Sequence, residues 1–188
     1  MRKTLYTGIV ITTFLFNFAS CSTPHLIYSQ NIFVGKELFK QKEYEGAKKH
    51  FQEASKNQKD SISLTYLAIV SYKMNDIENA ERLIKEAEKL NGKNIYYLRT
   101  LGYKAIILLN KDKKAGLLAL KGYLDYYKHY YPLMTIQEVE KMWMEGTIDM
   151  GNLETLMEEQ ISWYEDEIEQ YLSTGTGFYD AISGSDRP

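Results

Sequence analysis

Small and large apolar residues recur at a fixed distance in the middle of this 188-residue chain. Gly35, Ala47, Phe51 and Ala54 stand in VGKELFKQKEYEGAKKHFQEA, and Ala80, Ile84 and Ala87 repeat the last three in ENAERLIKEAEKL, 33 residues on. Ala68 falls 33 residues after Gly35, and Leu67 falls 33 after Val34. Self-similarity at this period means stacked helical hairpins, each unable to bury its apolar face alone. Ala47 and Ala80 sit where two helices cross, because a small residue lets helix axes approach closely. Phe51 and Ile84 fill the space between hairpins one turn later, and Ala54 and Ala87 let the next hairpin stack.

A third copy is looser. Leu98, Leu101, Gly102 and Ala105 match the first helix of the repeat, whereas Ala115 and Ala119 in DKKAGLLALKGYLDYYKHYY stand one residue out of register. Helices are expected near 29–41, 44–57, 62–74, 77–90, 94–110 and 112–129. The pairs Asn75/Glu78 and Thr135/Glu138 have capping-box spacing, and Asn91-Gly92 is expected to end the second repeat with a glycine cap. No stretch shows the period-two alternation of strands.

The small–aromatic–small spacing resembles the tetratricopeptide repeat over about residues 28–128. The fold this implies is all-α: a short right-handed solenoid of antiparallel helix pairs, with about three repeats over 28–131. Residues 132–173 are expected to add a capping helix pair, since a solenoid's last open face must be covered. Its second helix carries Leu153, Met157, Ile161, Tyr164, Ile168 and Tyr171 as one apolar stripe. The tail 174–188 reads as poorly ordered.

The N-terminus has another character. Arg2 and Lys3 precede an apolar run from Leu5 to Phe18 that ends in small residues, the layout of a secretory signal peptide. Phe18-Ala19-Ser20-Cys21 resembles a bacterial lipobox, with Phe18 in place of the usual Leu, and Cys21 is the only cysteine. The resemblance implies cleavage after residue 20, lipidation of Cys21, and a linker over 21–27 that ties the protein to an envelope membrane. Several acyl chains hold where one does not. Ser22 resembles the sorting residue of lipoproteins sent to an outer membrane.

Charge is unevenly placed. Residues 21–141 hold 20 basic and 14 acidic groups, net +6, and residues 142–188 hold one basic and 11 acidic, net −10. Along the last helix Glu158, Glu159, Glu165, Asp166 and Glu169 are read as a solvated face, the rival being a docking surface for a basic partner or for the chain's own basic repeats. His50 and Glu53 have metal-ligand spacing without a third ligand, so an exposed histidine is expected, as for His25 and His129. GYLDYYKHYYP (122–132) reads as core aromatics, with a peptide or glycan platform as the functional alternative; export disfavours nucleic acid. Met134, Met142, Met144, Met150 and Met157 read as gap fillers. TGTGF (174–178) lacks the lysine and strand of a phosphate loop, and no nucleophile setting exists, so neither enzyme activity nor a cofactor is expected.

Tetratricopeptide arrays bind a peptide or helix in a concave groove lined by the first helix of each repeat. Carried over, the groove positions are Ser29, Ile32, Lys36, Phe39 and Lys40; then Ile62, Thr65, Ile69, Tyr72 and Lys73; then Tyr96, Arg99 and Tyr103. Aromatic and basic together, they suit a segment with apolar anchors and acidic groups. The family's clamp for a C-terminal carboxylate has asparagine where Lys36 and Ile69 stand, so that ligand is disfavoured. The expected function is a lipid-anchored interaction scaffold whose partner is another envelope protein. The alternatives are a surface-exposed lipoprotein that binds a host or matrix ligand or glycan, a homo-oligomer in which the acidic segment enters a neighbour's groove and, last, a cell-wall enzyme.

Overall fold

The 33-residue period is built into the backbone as a repeated turn. Lys42 has φ +64° and Asn75 has φ +62°, in the left-handed region. Around each the same bonds close the preceding helix: Lys42 N–H to Phe39 O and Glu43 N–H to Leu38 O, then Asn75 N–H to Tyr72 O and Asp76 N–H to Ser71 O. Asparagine tolerates this conformation better than most residues, so Asn75 is the turn residue. The expected capping box therefore shifts: Asp76, not Asn75, accepts from the Asn79 N–H at 3.4 Å.

A computed structural model describes residues 23–90, 95–130 and 136–175. Among the described residues the chain is all-α, with eight helices and no strand. They are α1 (Pro24–Lys40), α2 (Tyr44–Asn57), α3 (Ser61–Lys73), α4 (Ile77–Leu90), α5 (Tyr97–Leu109), α6 (Lys113–Tyr130), α7 (Ile136–Glu145) and α8 (Met150–Thr174). Helix α1 starts earlier than expected, taking in the second half of the 21–27 linker, because Thr23 caps it and Pro24 occupies the first helical position. Side chains of Asp60 and Asp149 cap α3 and α8, and Gly175 at φ +70° closes α8 in the left-handed conformation. The signal peptide, Cys21, Ser22, Asn91-Gly92, the Thr135 cap and the tail beyond residue 175 lie outside the described residues.

The pairs α1–α2, α3–α4 and α5–α6 pack most closely, and α2–α3 and α4–α5 join successive pairs. One core runs through the array from Ala47 to Ile168. Gly35 is buried against Phe51, whose ring would lie 2.6 Å from a Cβ placed there. Phe51 in turn stacks on Tyr66 at 4.9 Å, carrying the packing from α2 into α3.

The third repeat has its own register. Gly116, Leu120 and Tyr123 are buried where Ala47, Phe51, Ala54 and Ala80, Ile84, Ala87 stand in the first two, whereas Ala115 and Ala119 are half-buried. Gly102 takes the place of Gly35 and Ala68. From that glycine or alanine to the crossing residue is 12 residues in the first two hairpins and 14 in the third. The displaced alanines thus reflect a longer hairpin rather than a weaker one. Helix α7 packs on α6 and α8 on α5, so the C-terminal pair covers the repeats. No helix among the described residues is long and apolar enough to cross a membrane.

Candidate binding groove

Helix α8 lies along the inner helices, and its acidic side chains face them. Carboxylates at 154, 158, 165 and 169 are spaced four, seven and four residues apart, which places them on one helix stripe. At one end Glu154 pairs with Lys73 and accepts from the Tyr72 hydroxyl at 3.2 Å. At the other Glu169 accepts from Tyr96 at 2.9 Å and from Lys36 at 3.3 Å, with Lys36 also over the Tyr96 ring. Helix α8 therefore runs antiparallel to α5, since Tyr96 precedes Tyr103 along α5 while their partners come in reverse order.

Arg99 is the centre of the contact. Its guanidinium grips Glu165 in bidentate fashion, Nε to Oε1 at 2.8 Å and Nη2 to Oε2 at 3.0 Å, and Nη1 reaches Glu158 at 2.7 Å. Tyr103 donates to the other Glu158 oxygen at 2.6 Å, and Ser162 adds a bond at 3.3 Å. The Tyr66 ring lies 5.4 Å beneath the guanidinium. Arg99 is 3% exposed and Glu165 4%, so both charges are out of water and depend on each other. Burial alone would lower the Arg99 pKa, but Tyr66, Glu165 and Glu158 raise it well above its ordinary value. Burial also lifts the Glu165 carboxyl, against the pull of Arg99. At Glu158 the upward push of burial is outweighed by Arg99 and Tyr103, and its carboxyl is held low. Burial lowers the Lys73 ammonium, with Glu158 opposing.

The apolar stripe of α8 sits beside this row. Leu153, Met157, Ile161 and Ile168 are buried. Gly102 makes the close approach: a Cβ there would meet Ile161 Cδ1 at 2.8 Å and Met157 Cε at 3.2 Å. Gln160, on the same side, accepts from the buried Tyr123 hydroxyl at 2.8 Å.

The reading of the acidic helix as a solvated face is thus overturned for the residues that matter. Glu158 and Glu165 are both turned inward onto Arg99, while Glu159 and Asp166 remain exposed. Of the groove positions, Lys36, Tyr72, Lys73, Tyr96, Arg99 and Tyr103 all engage α8. Thr65 is buried one layer down, bonded to Thr100 at 2.8 Å, and Ile69 is fully buried in the core. Ile32 and Ile62 pack half-buried against that core, and Ser29 is exposed.

Phe39 and Lys40 line what α8 leaves open. A cleft of about 670 Å³ separates α8 from the ends of α1 and α3, with Phe39, Lys40, Lys42 and Tyr44 on one side and Thr155 and Glu159 on the other. Among the described residues Lys40 pairs with its neighbour Glu37, at the surface. Sequence reasoning missed Lys42, Tyr44 and Glu154 as site residues and placed Gly102 in the repeat without its contact to α8; the charge imbalance between the repeats and the last helix was the signal that pointed to α8.

Other candidates dissolve on inspection. His50 is half-buried rather than exposed, its Nδ1 lying 2.8 Å from Asn31 Oδ1, so it ties α2 to α1. No cluster of three metal-ligating residues exists among the described residues. In the tyrosine-rich segment Tyr123 is fully buried and Tyr126 packs edge-on against Tyr97 at 5.0 Å, which agrees with core aromatics for these two, and the side chains from 127 to 132 lie outside the described residues. No protein-family model, curated protein or solved structure matches the chain.

Proposed function

We propose that this chain is a tetratricopeptide-type interaction module, anchored through a lipid on Cys21 to a bacterial envelope membrane, the outer one where two exist. It holds a helix or peptide of another envelope protein and so helps assemble or maintain an envelope complex. One observation carries the reading: the inner helices α1, α3 and α5 direct Lys36, Lys73, Tyr96, Arg99 and Tyr103 to a common face, and that face engages a helix. Binding rather than catalysis is the work proposed, a reading supported by the cation or hydroxyl partner that each of the four inward carboxylates has.

The test is photocrosslinking in living cells from a residue placed at Lys42, on the open cleft, followed by mass spectrometry. A dominant protein crosslink is expected, and Lys36→Glu with Lys73→Glu should weaken it with helicity unchanged. Capture that ignores the double reversal sinks the groove assignment.

A further inference from the structure

Helix α8 behaves as a ligand that the chain carries for itself. Its acidic stripe meets α1 and α3 through side-chain ends, while its backbone packs against α5 and α7. The contact sets a buried apolar stripe, Leu153, Met157, Ile161 and Ile168, beside a row of charges, four carboxylates against Lys36, Lys73 and Arg99. Buried ion pairs add little net stability compared with apolar packing, but they set register and reject mismatched partners. An occupant held in this way is defined by its pattern and can be replaced by another helix of the same pattern. Part of the groove also stays unfilled, the cleft beside Phe39, Lys42 and Tyr44.

We infer that the groove accepts an acidic amphipathic helix from another protein, with carboxylates at the 4–7–4 spacing of Glu154, Glu158, Glu165 and Glu169, and that α8 is the built-in competitor such a helix must displace. The cationic, aromatic edge of the cleft gives the incoming helix a first foothold while α8 is still seated. This deepens the interaction reading above and rests on it. The consequence is a threshold. A tethered helix on a short linker acts at an effective concentration of about 1 mM. A free helix of equal intrinsic affinity at micromolar concentration therefore fills only about one groove in a thousand. The groove responds only to a tighter helix or to a weakened α8.

The experiment uses a fluorescein-labelled peptide of residues 150–174, titrated by anisotropy against the full chain and against a Glu158→Lys/Glu165→Lys variant. The variant is expected to bind the peptide at least about 100-fold more tightly than the unaltered chain, because its own helix no longer competes. Adding Arg99→Glu to the variant should abolish that binding. A variant that keeps its helicity and cooperative melting yet takes up peptide no better than the parent overturns the inference. Should the variant fail to fold, hydrogen exchange on the unaltered chain decides. Amides of α8 are expected to exchange as a unit ahead of those in α5, and protection of α8 equal to that of α5 overturns the inference. A cellular crosslink at Lys42 without peptide exchange would leave the interaction reading standing and this one refuted. Exchange without any crosslinked partner would refute the interaction reading, and with it the partner helix inferred here, leaving α8 only as a displaceable segment of its own chain.

Discussion

Arg99 shows how one residue can be placed by sequence and still surprise by its environment. Arginine is almost never fully buried unless paired, and here it is 3% exposed between two carboxylates and a tyrosine ring. Its place on the inner face needs a register one residue longer than the repeat, since the 33-residue period carries Thr65 onto Leu98. Its burial does not follow from the repeat at all, because the covering side chains come from 59 and 66 residues further on. Removing one partner of such a pair is far worse than removing both. Arg99→Met should therefore cost about 3–5 kcal/mol in urea unfolding. The double change Arg99→Met with Glu165→Met should recover at least about half of that loss. A double variant no more stable than the single one would mean that the pair is not the source of the cost.

At the level of elements, two glycines of α6 separate the demands of packing from those of propensity. Gly116 is a crossing residue: a Cβ there would lie 2.6 Å from the backbone of Leu109, which cannot step aside. Gly122, two turns on, has nothing within 4 Å of the same atom. Alanine at 116 should destabilise by about 1–3 kcal/mol through overpacking, whereas alanine at 122 should stabilise by about 0.5–1 kcal/mol by stiffening the unfolded chain. Opposite shifts in melting temperature are the expected result, and equal shifts would put the third repeat out of the register described. The helices themselves were legible in the sequence to within a few residues, since 3.6-residue periodicity and turn chemistry are local. The register of the third hairpin was not, because its turn matches the other two and the two extra residues lie within α5 after Gly102, where they change no local preference and show only when α6 is laid against α5. For the same reason α8 was recognised as amphipathic while its acidic side was assigned to solvent. A polar helix face looks the same whether it meets water or a complementary row of cations.

For the molecule as a whole, the N-terminal cysteine and the groove are proposed to work together, one fixing the place and the other choosing the company. The placement is checked by fractionation: Cys21→Ser should move the protein from the membrane to the soluble fraction with its helicity intact, and continued membrane association would remove the lipid anchor from the proposal. What the sequence determined by itself was the all-α class, the hairpin repeat and several of the inward-facing positions on α1, α3 and α5, though not Ser29 or Lys40, which stand exposed. Each is set by spacing along the chain, where small residues, aromatic residues and turns recur at intervals that a helix pair imposes. What only the tertiary structure decided was the fate of the groove. The sequence supplied a basic array and an acidic helix, net +6 and −10, but attraction between them has no range or direction that spacing can encode. Whether α8 turned to solvent, to a neighbour or back onto its own repeats depended on shape. Gly102 lets α8 come close enough for its apolar stripe to be buried, and that burial holds Glu158 and Glu165 within reach of Arg99.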